Sequence, residues 1–231
     1  MNGVVAALAA EARALGPIRR GGAKTPGDFP QLEDGTLLAV SGIGSPAARA
    51  AAQALVSAQV SALMTFGLAG ALDPNLAAGA IILPGELISP GGARFVTCKA
   101  WRERVAASLG KGSAVCTDIL LTSVRAIETP REKAAAFRDT GAAAVDMESA
   151  AVAEVAAAHG LPFIAVRVIV DTAGDALPPS VIAASRAGRI EIGRLIAALV
   201  AAPREIAALI RLARRYRTAM RTLALVGTHL A

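Results

Sequence analysis

Acidic residues stand where apolar runs stop. Glu11 follows Gly3–Ala9, Asp146 and Glu148 follow Ala142–Val145, and Asp171 follows Phe163–Val170. A carboxylate at the end of a buried strand is costly unless a cation or a ligand meets it. Asp171 therefore calls for a partner such as Arg167, or for a bound molecule. Glu148 and Asp146 lead into an alanine-rich helix, whose dipole favours negative charge, so a capping role is open to both. Glu11 reads equally as a solvated helix-start residue. Glycines end two other apolar runs, as Ser41-Gly42-Ile43-Gly44-Ser45 and as Gly67-Leu68-Ala69-Gly70. Such turns let a ligand approach the backbone, and amides at a following helix start favour an anion. A structural turn explains them as well. Neither is a dinucleotide fingerprint, since the third glycine is missing, and no GK[ST] follows to make a Walker loop.

The elements that must carry these residues alternate between strand and helix. Strands are expected at Gly3–Ala9, Thr36–Val40, Ala62–Phe66, Ala80–Ile88 (interrupted by Pro84), Ala142–Val145 and Phe163–Val170. Helices are expected at about Pro46–Ser57, from Glu148 to about His159, at Ser180–Val200 and at Pro203–Leu223; the stretch Gly16–Gly35 reads as loop. No internal repeat or linker breaks the pattern. It predicts one α/β domain over 1–231, a sandwich with a central mixed, largely buried β-sheet flanked by helices. In such folds ligands gather beyond the carboxyl ends of strands, where the acidic residues lie.

Composition narrows the class. Hydrophobic residues are 54% and charged residues 18% of the chain, which excludes disorder. Aromatics are only 3%, so Ala, Val, Leu and Ile must fill the core. Lys and Arg outnumber Asp and Glu, 24 to 18, a net charge of +6 that suits a phosphate-bearing ligand, a membrane surface or a polyanion. Nucleic acid is not expected as a partner, for no basic stretch is interleaved with aromatics. With only two Cys and two His, in no ligand spacing, no metal site is expected. No apolar run reaches the ~20 residues of a membrane span, and Glu11 interrupts the N-terminal run before it reads as a signal peptide. The expected location is cytoplasmic, with contact at the inner membrane face allowed.

Three segments, in this order and spacing, resemble the nucleoside phosphorylase/nucleosidase family: Val40–Gly44, Phe66–Pro74, and Ala144–Ala151 continuing to Arg167–Asp171. The resemblance covers about Val4 to Asp175. It implies cleavage of the N-glycosidic bond of a purine nucleoside, with Asp171 at N7 of the base, Glu148 on the ribose hydroxyls and Met147 under the sugar. It implies that Glu11 positions an attacking water in nucleosidases. Ala69, Gly70, Leu120 and Leu121 are the expected base-facing residues, and Ser41, Gly42, Gly44 and Gly67 the expected phosphate cradle. The resemblance is nearest to the hopanoid-associated phosphorylases. That implies adenosylhopane, an adenosine with a large apolar 5′ group, as substrate, inorganic phosphate as co-substrate, no cofactor, and a homo-oligomer. Hydrolysis of methylthioadenosine or S-adenosylhomocysteine is the alternative, and a non-catalytic nucleoside-binding or membrane-docking module a third.

The chain departs from the family pattern at Leu68, where Ser is usual, and at Thr65, where hexameric phosphorylases place a phosphate-binding Arg. Phosphate would then depend on backbone amides, on Arg49 or on a neighbouring subunit. In the last expected helix Ile206, Leu209, Ile210, Ala213, Tyr216 and Met220 form an apolar stripe opposite Arg211, Arg214, Arg215 and Arg221. The stripe fits packing on the domain or on another subunit, and also an interfacial helix on anionic lipid.

Overall fold

The structure is a computed structural model that describes residues 1–19, 29–110, 114–176, 185–186, 189–190 and 206–230. Strand β1 (Asn2–Ala6) runs parallel between β2 (Leu37–Val40) and β3 (Ala62–Ala71). Past β1, β3 stays paired in parallel with β10 (Phe163–Asp171) and meets β9 (Ala144–Asp146) antiparallel at Gly70 and Ala71. Short strands β4 (Ile81–Ile82), β5 (Glu86–Ile88), β6 (Arg94–Val96), β7 (Val115–Cys116) and β8 (Leu120–Thr122) complete, among the described residues, a mixed sheet of ten strands.

Alternation along β10 divides the core into two layers. Phe163, Ala165 and Ile169 face the layer of α2 (Ser45–Ser57) and α5 (Ser149–Ala158), with Ala48, Ala52, Leu55, Val152 and Ala156 against them. Ile164, Val166 and Val168 face α1 (Ala9–Ala14), α3 (Lys99–Ser108) and the long C-terminal helix. The sheet is covered on both sides, which is why its strands read as continuous apolar runs. A further helix, α4 (Pro130–Thr140), starts in a capping box between Thr129 and Glu132 and ends at Gly141 in the left-handed region. The C-terminal helix is α6 (Ile206–Thr228).

Several expectations are corrected. The strand expected to stop at Phe66 runs on to Ala71, because β10 pairs with it through Gly67 and Gly70 and the ladder holds the glycines extended. The run Ala80–Ile88 is, as expected, interrupted at Pro84, which lacks an amide for the ladder and parts it into two strands. Where a helix was expected from Ser180, β11 (Ser185–Arg186) pairs antiparallel with β12 (Arg189–Ile190); the rest of Ser180–Val200, and part of the expected Gly16–Gly35 loop, lie outside the described residues. The buried face of α6 is Ala219, Leu223 and Val226, while Ile210 and Tyr216 of the expected stripe are exposed. That face sits on β10 and α1, and Gly227 allows it, since a Cβ there would lie 2.0 Å from the Ala14 carbonyl oxygen. Burying Leu223 and Val226 stabilises the attachment by about 1.5–3 kcal/mol each. Among the described residues no helix is long and apolar enough to cross a membrane.

Candidate active site

A cavity of about 200 Å³ opens beyond the carboxyl ends of β1, β8, β9 and β10 and along β3. Glu11, Met147, Glu148 and Asp171 line it together with Leu8, Ile43, Leu68, Ala69, Gly70 and Val170. Arg125, Ala126 and Ile127, beyond β8, close another side. Residues as far apart in sequence as Glu11 and Asp171 meet here because parallel strands deliver their carboxyl ends to one edge of the sheet.

Asp171 owes its position to a break in the β10 register. Ile169 pairs with Ala69 and Asp171 with Gly70, so Val170 bulges from the ladder. The bulge turns two consecutive side chains, Val170 and Asp171, toward the cavity, which a regular strand cannot do. Gly70 leaves room: a Cβ there would stand 3.2 Å from both carboxylate oxygens. The partner of Asp171 is not Arg167. It is Lys133 of α4, fully buried, whose Nζ donates to Oδ2 of Asp171 and, at 2.8 Å, to the Thr172 carbonyl.

Arg167 points to the other face of β10 and joins a second buried network. Its Nε donates to Oδ2 of Asp146 at 2.9 Å and Nη2 donates to the Ser149 hydroxyl at 2.9 Å. Burial works against the charged guanidinium, yet Asp146, Glu11 and Glu148 together hold its pKa above the ordinary value. Asp146 also accepts from the Thr122 hydroxyl and from the Ser149 amide, so Asp146 is the residue that caps α5. Removing either member of the Arg167–Asp146 pair would leave a buried charge alone, at a cost of about 3–5 kcal/mol.

Glu148 is the residue at the start of α5 whose side chain turns away from its own helix. Its Oε1 accepts from the Gly44 amide at 2.7 Å, at the start of α2. Burial, and then the nearby Asp146 carboxylate, push Glu148 up to about 7. Glu11 is 4% exposed and is no solvated helix-start residue. Its Oε2 accepts from the Leu8 amide and its Oε1 from the Leu68 amide, both at 2.9 Å.

The expected site residues divide. Glu11, Met147, Glu148, Asp171, Ala69 and Gly70 share the cavity. Leu120 is fully buried in the sheet and Leu121 packs on the cluster of Leu72, Ala142 and Val145, so neither lines the cavity; Arg125–Ile127 do. The expected phosphate cradle is occupied by the protein itself. The Gly44 amide is taken by Glu148, the Gly42 amide by the Ala7 carbonyl, and the Ser41 hydroxyl by the Gly42 carbonyl. Gly67 lies beneath Glu11 and Arg167, and none of the four lines the cavity. Thr65 is buried against the Ser149 hydroxyl, and Arg49 pairs with Glu154 on the outer face of α2. Lys133 was missed in the sequence. Its signal was a lysine four residues before Phe137, on the inward face of a helix opened by Thr129-Pro130-Arg131-Glu132.

The sequence profile of the Phosphorylase superfamily matches residues 3–202, and the chain belongs to that superfamily. Solved structures of the same fold include nucleoside-cleaving enzymes. A 5′-methylthioadenosine/S-adenosylhomocysteine nucleosidase from Colwellia psychrerythraea, in complex with adenine, is 24% identical over 75% of this chain and 83% of its own, with a TM-score of 0.68. The nucleosidase of that kind from Neisseria meningitidis, bound to methylthio-immucillin-A, aligns with 99% of this chain and 97% of its own at 19% identity and a TM-score of 0.74. A futalosine hydrolase from Helicobacter pylori covers 73% of this chain and 88% of its own, with 17% identity and a TM-score of 0.65. No curated protein matches the chain in sequence.

Proposed function

We propose that this chain cleaves the N-glycosidic bond of an adenosine bearing an apolar 5′ group, with water as the attacking nucleophile. One observation carries the reading: Glu11, Glu148 and Asp171 converge on a single cavity whose other walls are largely apolar. Cleavage passes through a ribosyl cation while negative charge builds on the departing base. Asp171 supplies a proton to N7, Glu148 holds the ribose hydroxyls, and Met147 packs under the sugar. Glu11, fixed by the Leu8 and Leu68 amides, orients the water. Protonating the leaving group contributes ~10²–10⁴-fold in comparable general-acid catalysis.

Water is preferred to phosphate on electrostatic grounds. The amides expected to hold an anion already serve Glu148 and Ala7, and Glu11, Asp146 and Glu148 would repel one. Arg125 is the one cation among the described lining residues, and it is half committed to Glu132. The apolar walls of Leu8, Ile43 and Ile127 support a greasy 5′ substituent. Adenosylhopane is the most apolar candidate and methylthioadenosine the least demanding. Adenine release from each, with and without inorganic phosphate, tests the reading by mass spectrometry of both products. Free ribosyl product without phosphate is expected. A ribosyl 1-phosphate formed only with phosphate overturns water as nucleophile, and no base release from either substrate overturns the reading altogether.

A further inference from the structure

We propose that Lys133 is a positioning residue for Asp171: its buried ammonium fixes the carboxyl group at the cavity wall and stabilises the carboxylate left when the proton passes to the base. The inference rests on the base-cleaving reading above. Lys133 reaches Asp171 from behind the cavity wall, on α4, an element that contributes no residue to the cavity lining, and its side chain is 1% exposed. A lysine is buried so fully only where its charge is met. Here Oδ2 of Asp171 and the Thr172 carbonyl accept from it, and among the described residues neither contact belongs to the network around Arg167.

The arrangement serves leaving-group protonation. The O–H bond of Asp171 breaks as N7–H forms, and the C1′–N9 electron pair stays with the purine. The carboxylate so formed is buried, and without a cation it would be an isolated charge. Water adds to C1′ and its released proton reloads Asp171. Other charges face the same carboxyl group: Glu148, Asp146, Glu11 and Arg125 across the cavity, and Asp175, which accepts from the Thr172 amide and pairs with Arg215 of α6. Of these groups only Lys133 makes a direct bond to Asp171 among the described residues.

The test compares an adenosine substrate with p-nitrophenyl riboside, whose leaving group departs without protonation, in the wild type, Lys133→Met and Lys133→Arg. Lys133→Met is expected to lose about 10²-fold more turnover on the purine than on the nitrophenyl riboside. Lys133→Arg, which keeps a cation within reach of Asp171, is expected to close that gap between the two substrates. Equal loss on both substrates, or a gap that Lys133→Arg leaves open, makes Lys133 a structural lysine and overturns the proposal. If Lys133→Met does not fold, Lys133→Gln against Lys133→Arg gives the same two readouts. A wild type that cleaves nitrophenyl riboside but no purine nucleoside sinks the base-cleaving reading instead, a result distinct from either outcome for Lys133.

Discussion

The two glycine segments look alike in sequence and are small for different reasons. At Ser41–Ser45 the requirement is conformational. Gly42 and Gly44 have φ of 86° and 101°, where a side chain is strained, and a Cβ on Gly42 would meet nothing within 4 Å. At Gly67–Gly70 the backbone is ordinary strand and the requirement is space. A Cβ on Gly67 would stand 2.5 Å from Oε1 of Glu11 and 2.8 Å from Nη1 of Arg167. Gly70 makes the same allowance for Asp171. One segment bends the chain toward α2, and the other lets carboxylates lie flat against a strand. A glycine-rich stretch therefore marks an anion cradle only when its amides are free, and these are not.

Gly67→Ala should break the contrast most severely. The added methyl displaces Glu11 from its bonds to the Leu8 and Leu68 amides and crowds Arg167. We expect about 1–3 kcal/mol of lost stability in denaturant titration and at least about 10²-fold lower kcat/KM, because Glu11 no longer sits where it orients water. Wild-type kinetics in this variant would remove Glu11 from the mechanism.

Glu148→Gln should have an intermediate effect, with a pH signature. The folded chain keeps the Glu148 proton up to about 7, against an ordinary value of 4.5, so it binds more protons than the unfolded chain across that window. Wild-type stability therefore falls as pH rises through it, whereas Gln does not titrate. Urea midpoints are expected to move in favour of Glu148→Gln between about pH 5 and about pH 8. Nucleoside binding should change in the opposite sense. An ionised Glu148 accepts ribose hydroxyls more strongly, so wild-type KM drops as pH rises through about 7 and the variant's stays flat. A flat wild-type profile would place the ribose away from Glu148.

Gly42→Ala is the mild case. Leaving the glycine conformation costs about 1–2 kcal/mol of stability, and with open space around the new Cβ the kinetics should stay within about twofold of wild type. A selective loss of phosphate-dependent turnover would restore this segment as an anion site.

Much of the fold was legible because burial on both faces forces uniform apolar strands, and β1, β2, β9 and β10 lie close to where their runs predict. The acidic residues at strand ends were legible for the same reason, since a carboxylate there stands out against its neighbours. The region from Ser89 to Thr140 was not, because its strands are two or three residues long and α3 and α4 are mostly polar. What α6 buries was misjudged by about a turn: periodicity gives a stripe, and only contact with β10 and α1 says which part of it is covered.

The sequence by itself determined the alternation of elements, the superfamily and the acidic residues that meet at the cavity, since these follow from local pattern and from residue type. Tertiary structure alone decided their partners. It gave Asp146 rather than Asp171 to Arg167, gave Lys133 to Asp171, and spent the Gly44 amide on Glu148. Each of these pairs joins separate elements, and a buried charge takes whichever counter-charge the packing brings within reach, which no spacing along the chain records.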